Sequence, residues 1–304
     1  MEIRTLRMFV EVVRQGGFSR AADKVFATQS TVSKAVKQLE GELGLVLLDR
    51  RGHHCQLTEA GEIVYRRAVS ILAQGDDMKL ELEDLRGLKG GVLRLGFPLI
   101  GSNTLFARWF AVYRTHYPDV DVRLVEHGSK RLEELVLAGE LDLAASLLPV
   151  SREFEWQELR REPIDALLAA DHPLATVDTI RFNELADIPF ILYGPGFALN
   201  PMIREACRES GFVPKVTAQS SQVDFVIELV AAKLGVALLP RMICEQRPHP
   251  LTKRVAISQP SLYWHMALVW RRGAFLSHAA QAWLTLADDP RVAGRGLQTG
   301  TRSR

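Results

Sequence analysis

With only three cysteines in 304 residues, the chain has no material for a disulfide-stapled scaffold. Cys55, Cys207 and Cys244 are odd in number and far apart, so reduced thiols in a cytoplasmic protein are the expectation. No zinc-ligand spacing accompanies them. His53 and His54 stand beside Cys55, but adjacent residues on a strand point to opposite faces, and no metal is expected. No run approaches 18 apolar residues, which leaves no candidate membrane span. The segment MEIRTLRMFVEVVRQ has neither the continuous apolar core nor the cleavage site of a signal peptide. Enzyme signatures are missing too: G-x-S-x-G, a Walker loop and H-E-x-x-H are all absent. Gly194-Pro195-Gly196 lacks dinucleotide spacing, and Asp165, Asp171 and His172 have no nucleophile placed beside them. The chain is expected to be neither an enzyme nor a cofactor carrier.

Charge of one sign is also scarce overall, at a net +2, but it is unevenly spread. Residues 1–58 hold nine Lys/Arg against six Asp/Glu, and residues 59–87 hold four against seven. Residues 88–290 hold 21 against 23, and the tail 291–304 has four Arg and no acid. The basic excess thus sits at the N-terminal end and in the tail, the arrangement that contact with a polyanion requires.

What the N-terminal end does contain is a run of short amphipathic helices. Glu2 to Arg14 reads as a first helix with Ile3, Leu6, Phe9, Val10 and Val13 inward, stopped by Gly16-Gly17. Ser19 is the expected N-cap of a second helix whose Ala21, Ala22, Val25 and Phe26 face inward. Thr28 caps a third, Gln29 to Glu40, with Val32, Val36 and Leu39 buried and Gln29, Ser30, Ser33, Lys34 and Lys37 outward. Leu43 to Leu57 reads as two strands with Arg50-Arg51-Gly52-His53-His54 as the wing between them. Short polar and basic groups on one helix face suit base edges and phosphates, so this is a winged helix-turn-helix aimed at double-stranded DNA.

Leu6, Phe9, Ser19, Ala21-Ala22, Gln29, Ser30, Ser33, Lys34, Leu39-Glu40, Leu43-Gly44, Leu47, Arg50 and Leu57-Thr58-Glu59-Ala60-Gly61 together resemble the LysR-type transcriptional regulators. The resemblance covers nearly the whole chain. It implies that Gln29, Ser30 and Ser33 approach bases while Lys34, Lys37 and Arg50 hold phosphates. Ser19, Thr28, Thr31, Arg51 and His53 join the candidate DNA contacts. Two positions depart from the family pattern: Ser30 stands where Pro is frequent, and His53-His54 occupy a wing that commonly carries a basic residue. Neutral histidines there make a weaker contact, sensitive to pH near 6 to 7.

Residues 59–87 read as one long helix capped by Thr58. Val64, Ala68, Ile71, Gly75, Met78, Leu82 and Leu85 recur at spacings of 4, 3, 4, 3, 4 and 3, a coiled-coil seam. The other reading is a helix packed on its own domain. The seam supports a dimer, and the resemblance suggests a tetramer of two dimers. Gly75 on the seam fits a close helix approach, and Gly87, Gly90 and Gly91 form a hinge.

From residue 92 strands and helices alternate, implying a parallel sheet covered by helices. The resemblance implies an α/β effector-binding domain over residues 88–290, with two lobes like a type 2 periplasmic binding protein. Lobe I takes about 91–161 and 266–290, lobe II about 162–265, and the tail 291–304 is expected to be disordered. The landmarks are LAGELDLA (137–144), ADHPLA (170–175) and KLGVALLPR (233–241). Such a cleft holds ligand at strand ends and helix N-termini. The candidate loops are Ile100, Gly101, Ser102 and Asn103; Gly128 and Ser129; and Ser146 and Pro149. Across the hinge lie Tyr193, Phe197 and Leu199, then Ser220 and Ser221. Ser102, Ser129 and Ser221 are expected as helix N-caps and ligand donors. None of these positions is Lys or Arg, so a small organic effector, a monocarboxylate at most, is expected. A cytosolic solute-binding or sensor protein is the alternative, but it leaves residues 1–87 without a role. RNA polymerase is a further partner that the resemblance allows.

Overall fold

A computed structural model describes residues 1–49, 55–85 and 91–289, apart from the side chains of 83–85 and 102–104. Residues 50–54, expected as the wing tip, Gly87 and Gly90, expected in a hinge, and the tail 291–304 lie outside the described residues. The chain forms two compact units, Met1–Gly87 with Leu137–Glu140 and Gly273–Phe275, and the remainder.

The first unit opens with α1 (Ile3–Gln15), α2 (Phe18–Lys24) and α3 (Gln29–Leu43). Leu6, Phe9, Val10 and Val12 of α1 pack with Ala21, Ala22, Val32, Val36 and Leu39 in one core. Gly16 ends α1 in the left-handed conformation, while Ile3 is exposed. Two expectations fail at α2. The helix begins at Phe18 behind Gly17, so Ser19 lies inside its first turn and is no N-cap. Phe26 does not face inward: it has φ +52° and is 98% exposed. The cause is the helix stop. Phe26 N–H reaches Asp23 O and Ala27 N–H reaches Ala22 O, the paired bonds of a Schellman turn, which needs a left-handed residue at position 26.

The strands begin later than expected: Leu43 remains helical, and among the described residues β1 (Leu48–Asp49) and β2 (Gln56–Leu57) pair, antiparallel. Glu40 fixes the approach to β1, its Oε1 accepting from the N–H groups of Leu47 (2.9 Å) and Leu48 (3.3 Å). Thr58 caps α4 (Glu59–Leu85): its hydroxyl donates to Val46 O (2.7 Å) and accepts from Gly61 N–H (3.0 Å). Gly61 is required there, since a Cβ would lie 2.0 Å from Leu47 O. The first two residues of the expected seam pack inward: Ala68 is core and Val64 rests on it, and Leu72, off the seam, is core as well. The second half is open, with Ile71, Met78 and Leu82 exposed by 38, 59 and 50%.

The second unit starts with β3 (Gly91–Pro98), α5 (Ser102–His116), β4 (Val120–His127), α6 (Ser129–Leu137) and β5 (Leu143–Leu147). The three strands are parallel, with β3 in the middle. Asp142 of the LAGELDLA landmark accepts from Arg94 N–H (2.7 Å) and pairs with its guanidinium, tying β3 to the β5 approach. Next come β6 (Phe154–Ala169), β7 (Thr179–Ile180), β8 (Phe190–Tyr193), α7 (Leu199–Glu209), β9 (Val216–Ser220) and α8 (Val223–Ala231). The series ends with β10 (Ala237–Pro240), α9 (Arg241–Gln246), β11 (Thr252–Ile257), β12 (Tyr263–Arg271) and α10 (His278–Asp288). The long sheet runs β4-β3-β5-β12-β6-β11-β7, with β10 also on β6. β6 is long enough to serve both lobes. Residues 154–163 pair with β12 in one lobe, and 164–169 pair with β10 and β11 in the other. β8 and β9 form a parallel pair beside it.

Candidate DNA-binding surface and effector cleft

α3 carries its polar face outward. Gln29, Ser30, Thr31, Lys34 and Lys37 are exposed, and Ser33 is half-buried. Thr28 caps the helix as expected, its hydroxyl accepting from Thr31 N–H at 3.2 Å. The same oxygen lies 3.0 Å from Ser30 Oγ and 2.8 Å from Thr31 Oγ1, so three hydroxyls cluster at the helix N-terminus. No acidic residue occupies that first turn. The unpaired N–H groups of a helix start, framed by hydroxyls and free of carboxylates, attract phosphate. Ser19 is exposed one helix away. Arg50, Arg51 and His53 lie outside the described residues.

In the second unit the expected effector residues divide. Pro98, Leu99, Ile100, Gly128, Ser129, Phe197, Ala198 and Leu199 meet around a cavity of about 20 Å3, joined by Leu147, Trp264 and Met266. That volume is room for about one water. Trp264, 1% exposed, fills the space, and its ring crowds Gly101, where a Cβ would lie 2.9 Å from it. Gly101 also has φ +85° and takes the N-cap place of α5, so Ser102 and Asn103 open that helix without Ser102 being its cap. Gly128 lies against the Gly196 backbone, closing the mouth from the other lobe.

Six expected positions are corrected. Ser129 is the first residue of α6 and 5% exposed, not its cap. Ser146 faces away from the cavity, its hydroxyl donating to Glu133 Oε1 at 2.5 Å, because residues alternate along β5 and Leu147 takes the cavity side. Tyr193 is a core residue: fully buried, it donates to Leu238 O at 2.7 Å, and burial pushes its phenol well above the usual range. Ser221 is exposed ahead of Gln222, the true N-cap of α8, and sits on Gly194. Neither Ser220, which accepts from Gln222 N–H, nor exposed Pro149 lines the cavity. Trp264 and Met266 were missed because they come from β12, far along the chain from the loops they meet.

The other candidate chemistry is structural. Asp165 is buried between the guanidiniums of Arg241 and Arg254, each 2.8 Å away. Cys207 and Cys244 are free thiols that burial pushes up to about 11 and about 12, so neither is a ready thiolate. Among the described residues no helix is long and apolar enough to cross a membrane.

A winged helix-turn-helix followed by a long helix and a two-lobed α/β domain defines a class, and comparison with known proteins gives the family. Residues 3–62 match the model for the bacterial regulatory helix-turn-helix protein, lysR family, and residues 86–289 match the LysR substrate binding domain. The chain is 36% identical over 285 residues to YwbI of Bacillus subtilis (strain 168), an uncharacterized HTH-type transcriptional regulator, covering 93% of this chain and 95% of that one. It is 31% identical to the transcriptional dual regulator GltC of the same organism, covering 86% and 88%. A full-length OxyR variant from Pseudomonas aeruginosa aligns with a TM-score of 0.71 at 25% identity, covering 98% of this chain and 99% of that one. The chain belongs to the LysR family: it is a transcriptional regulator with a helix-turn-helix DNA-binding domain and an effector-binding domain.

Proposed function

We propose that α3 enters the major groove of promoter DNA, with Gln29, Ser30 and Ser33 at base edges and Lys34 and Lys37 on phosphates. The observation that carries this reading is the acid-free, hydroxyl-framed N-terminus of α3 beside an exposed Gln–Lys face. The protein acts in the cytoplasm as a dimer through Ile71, Met78 and Leu82 of α4, and two dimers form the tetramer. Its effector is a small, largely apolar molecule that takes the place of the Trp264 ring in the cleft. Helix starts at Gly101 and Gly128 offer N–H groups to at most one carboxylate, and no charged side chain lines the cavity among the described residues. A ligand needing a displaced Trp264 binds one lobe arrangement over another, which is what couples it to DNA. A gel shift with the DNA upstream of this gene, run across salt concentrations, tests the reading. Binding should fall steeply with salt for that fragment and be weak for an unrelated one; equal binding to both would reject a sequence-specific regulator.

A further inference from the structure

The effector domain has a second cavity besides the cleft, and it is the roomier of the two. About 410 Å3 opens at the opposite end of β8, beside Asp187, Ile188 and Pro189, which precede the strand; the cleft residues follow it. Four strand residues, roughly 13 Å of backbone, separate the two. The volume falls within the usual span of small-molecule pockets, about 300–1,000 Å3.

Its walls combine an apolar surface, Leu168, Ile188 and Pro189 among them, with Asp171, Asp187 and Lys233. Lys233 is unusual. It has φ +64° at the end of α8, where its N–H reaches Val230 O and Leu234 N–H reaches Leu229 O. Those bonds make a Schellman turn, whose left-handed position favours glycine. A lysine here accepts backbone strain that glycine would avoid, and its side chain reaches 62 residues back to bond the Asp171 carboxylate. That bond holds the Asp171 carboxyl below the usual carboxylate range, so it is ionised. Asp187 has no such partner among the described residues. The cavity therefore holds two carboxylates, one ammonium already committed to Asp171, and the His172 imidazole, whose Nδ1 accepts from Leu174 N–H.

We propose that this cavity is a second ligand site, distinct from the cleft, which takes a compact organic ammonium with an apolar body. The cation meets Asp187, competes with Lys233 for Asp171, and rests its body on Ile188, Leu168 and Pro189. This inference does not depend on what the cleft binds. Benzylammonium, benzyl alcohol and benzoate are probes of matched body and different charge. Titrated into the full chain with methyl resonances followed by NMR, benzylammonium should shift Ile188 and Leu168 and leave Ile100 and Leu199 of the cleft unmoved. Asp187→Asn should weaken it at least fivefold. Lys233→Gly, which removes the competing ammonium and suits the turn, should tighten it severalfold. Equal binding of benzoate, movement of the cleft methyls instead, no binding of any probe, or indifference to both substitutions would overturn the proposal.

Discussion

Phe26 shows how a single backbone angle overrides a hydrophobic pattern. Val25 and Phe26 read as the inward end of α2, but neighbouring helical residues do not share a face, and the Schellman stop turns residue 26 outward. The sequence carries the hydrophobicity plainly; the φ that decides its direction comes from the tertiary need to turn into α3. Phe26→Gly should remove left-handed strain without touching the core, raising stability by about 1 kcal/mol in urea denaturation. A loss of stability would mean the exposed ring makes contacts that the chain alone lacks.

Glu133 gives the pH-dependent counterpart. Burial raises its carboxyl above the ordinary value of 4.5, and the Ser146 hydrogen bond pulls the other way without cancelling it. The folded state thus holds this proton more tightly than the unfolded one. Its contribution to stability is full below about 4.5 and is lost as pH rises through the folded value. Glu133→Gln keeps an acceptor for Ser146 and cannot ionise. Melting temperatures of the variant should exceed those of the parent at pH 7 and converge with them near pH 4. A constant difference at both pH values would remove Glu133 from the account.

Among elements, α4 and β6 differ most in how far the sequence reveals them. The seven-residue repeat of α4 is visible because a helix face recurs in the sequence itself. Which half of that seam faces home is not, because Val64 and Ala68 are covered by residues of α1 and the wing. β6 is hidden for a local reason. Pro163 interrupts it, and a proline reads as a strand boundary. In the fold that proline sits where β6 leaves β12 for β10 and β11, so the strand continues through it. The open half of α4 makes the assembly testable. Replacing Ile71 and Leu82 together by Glu should leave the fold intact, since both are exposed, and bring like charges together across a dimer seam. Sedimentation should then show monomer at concentrations where the parent is dimeric; an unchanged oligomer would place the dimer contact elsewhere.

For the whole molecule, the winged helix, the long helix and the alternating domain were legible because each rests on short-range patterns. The cleft was legible only as loops. Its walls at Ile100, Phe197 and Leu199 follow strand ends, whereas Trp264 and Met266 arrive from β12, and no local pattern says which loop they will fill. Trp264→Ala should cost about 3–5 kcal/mol and open a dry apolar space. Indole, which matches the lost ring, should restore much of the melting temperature. A small loss with no rescue would show that the ring does not fill the cleft.

The claim that α3 reads sequence is tested most directly by operator affinity. Full-length parent, Gln29→Ala and Lys34→Ala would be measured on one operator and its single-base variants at two salt concentrations. Gln29→Ala should lose roughly 1–3 kcal/mol on the operator and flatten the differences between variants. Lys34→Ala should weaken every variant alike and lower the salt slope by about 1. Unchanged operator affinity in Gln29→Ala, with altered base preference in Lys34→Ala, would contradict the account.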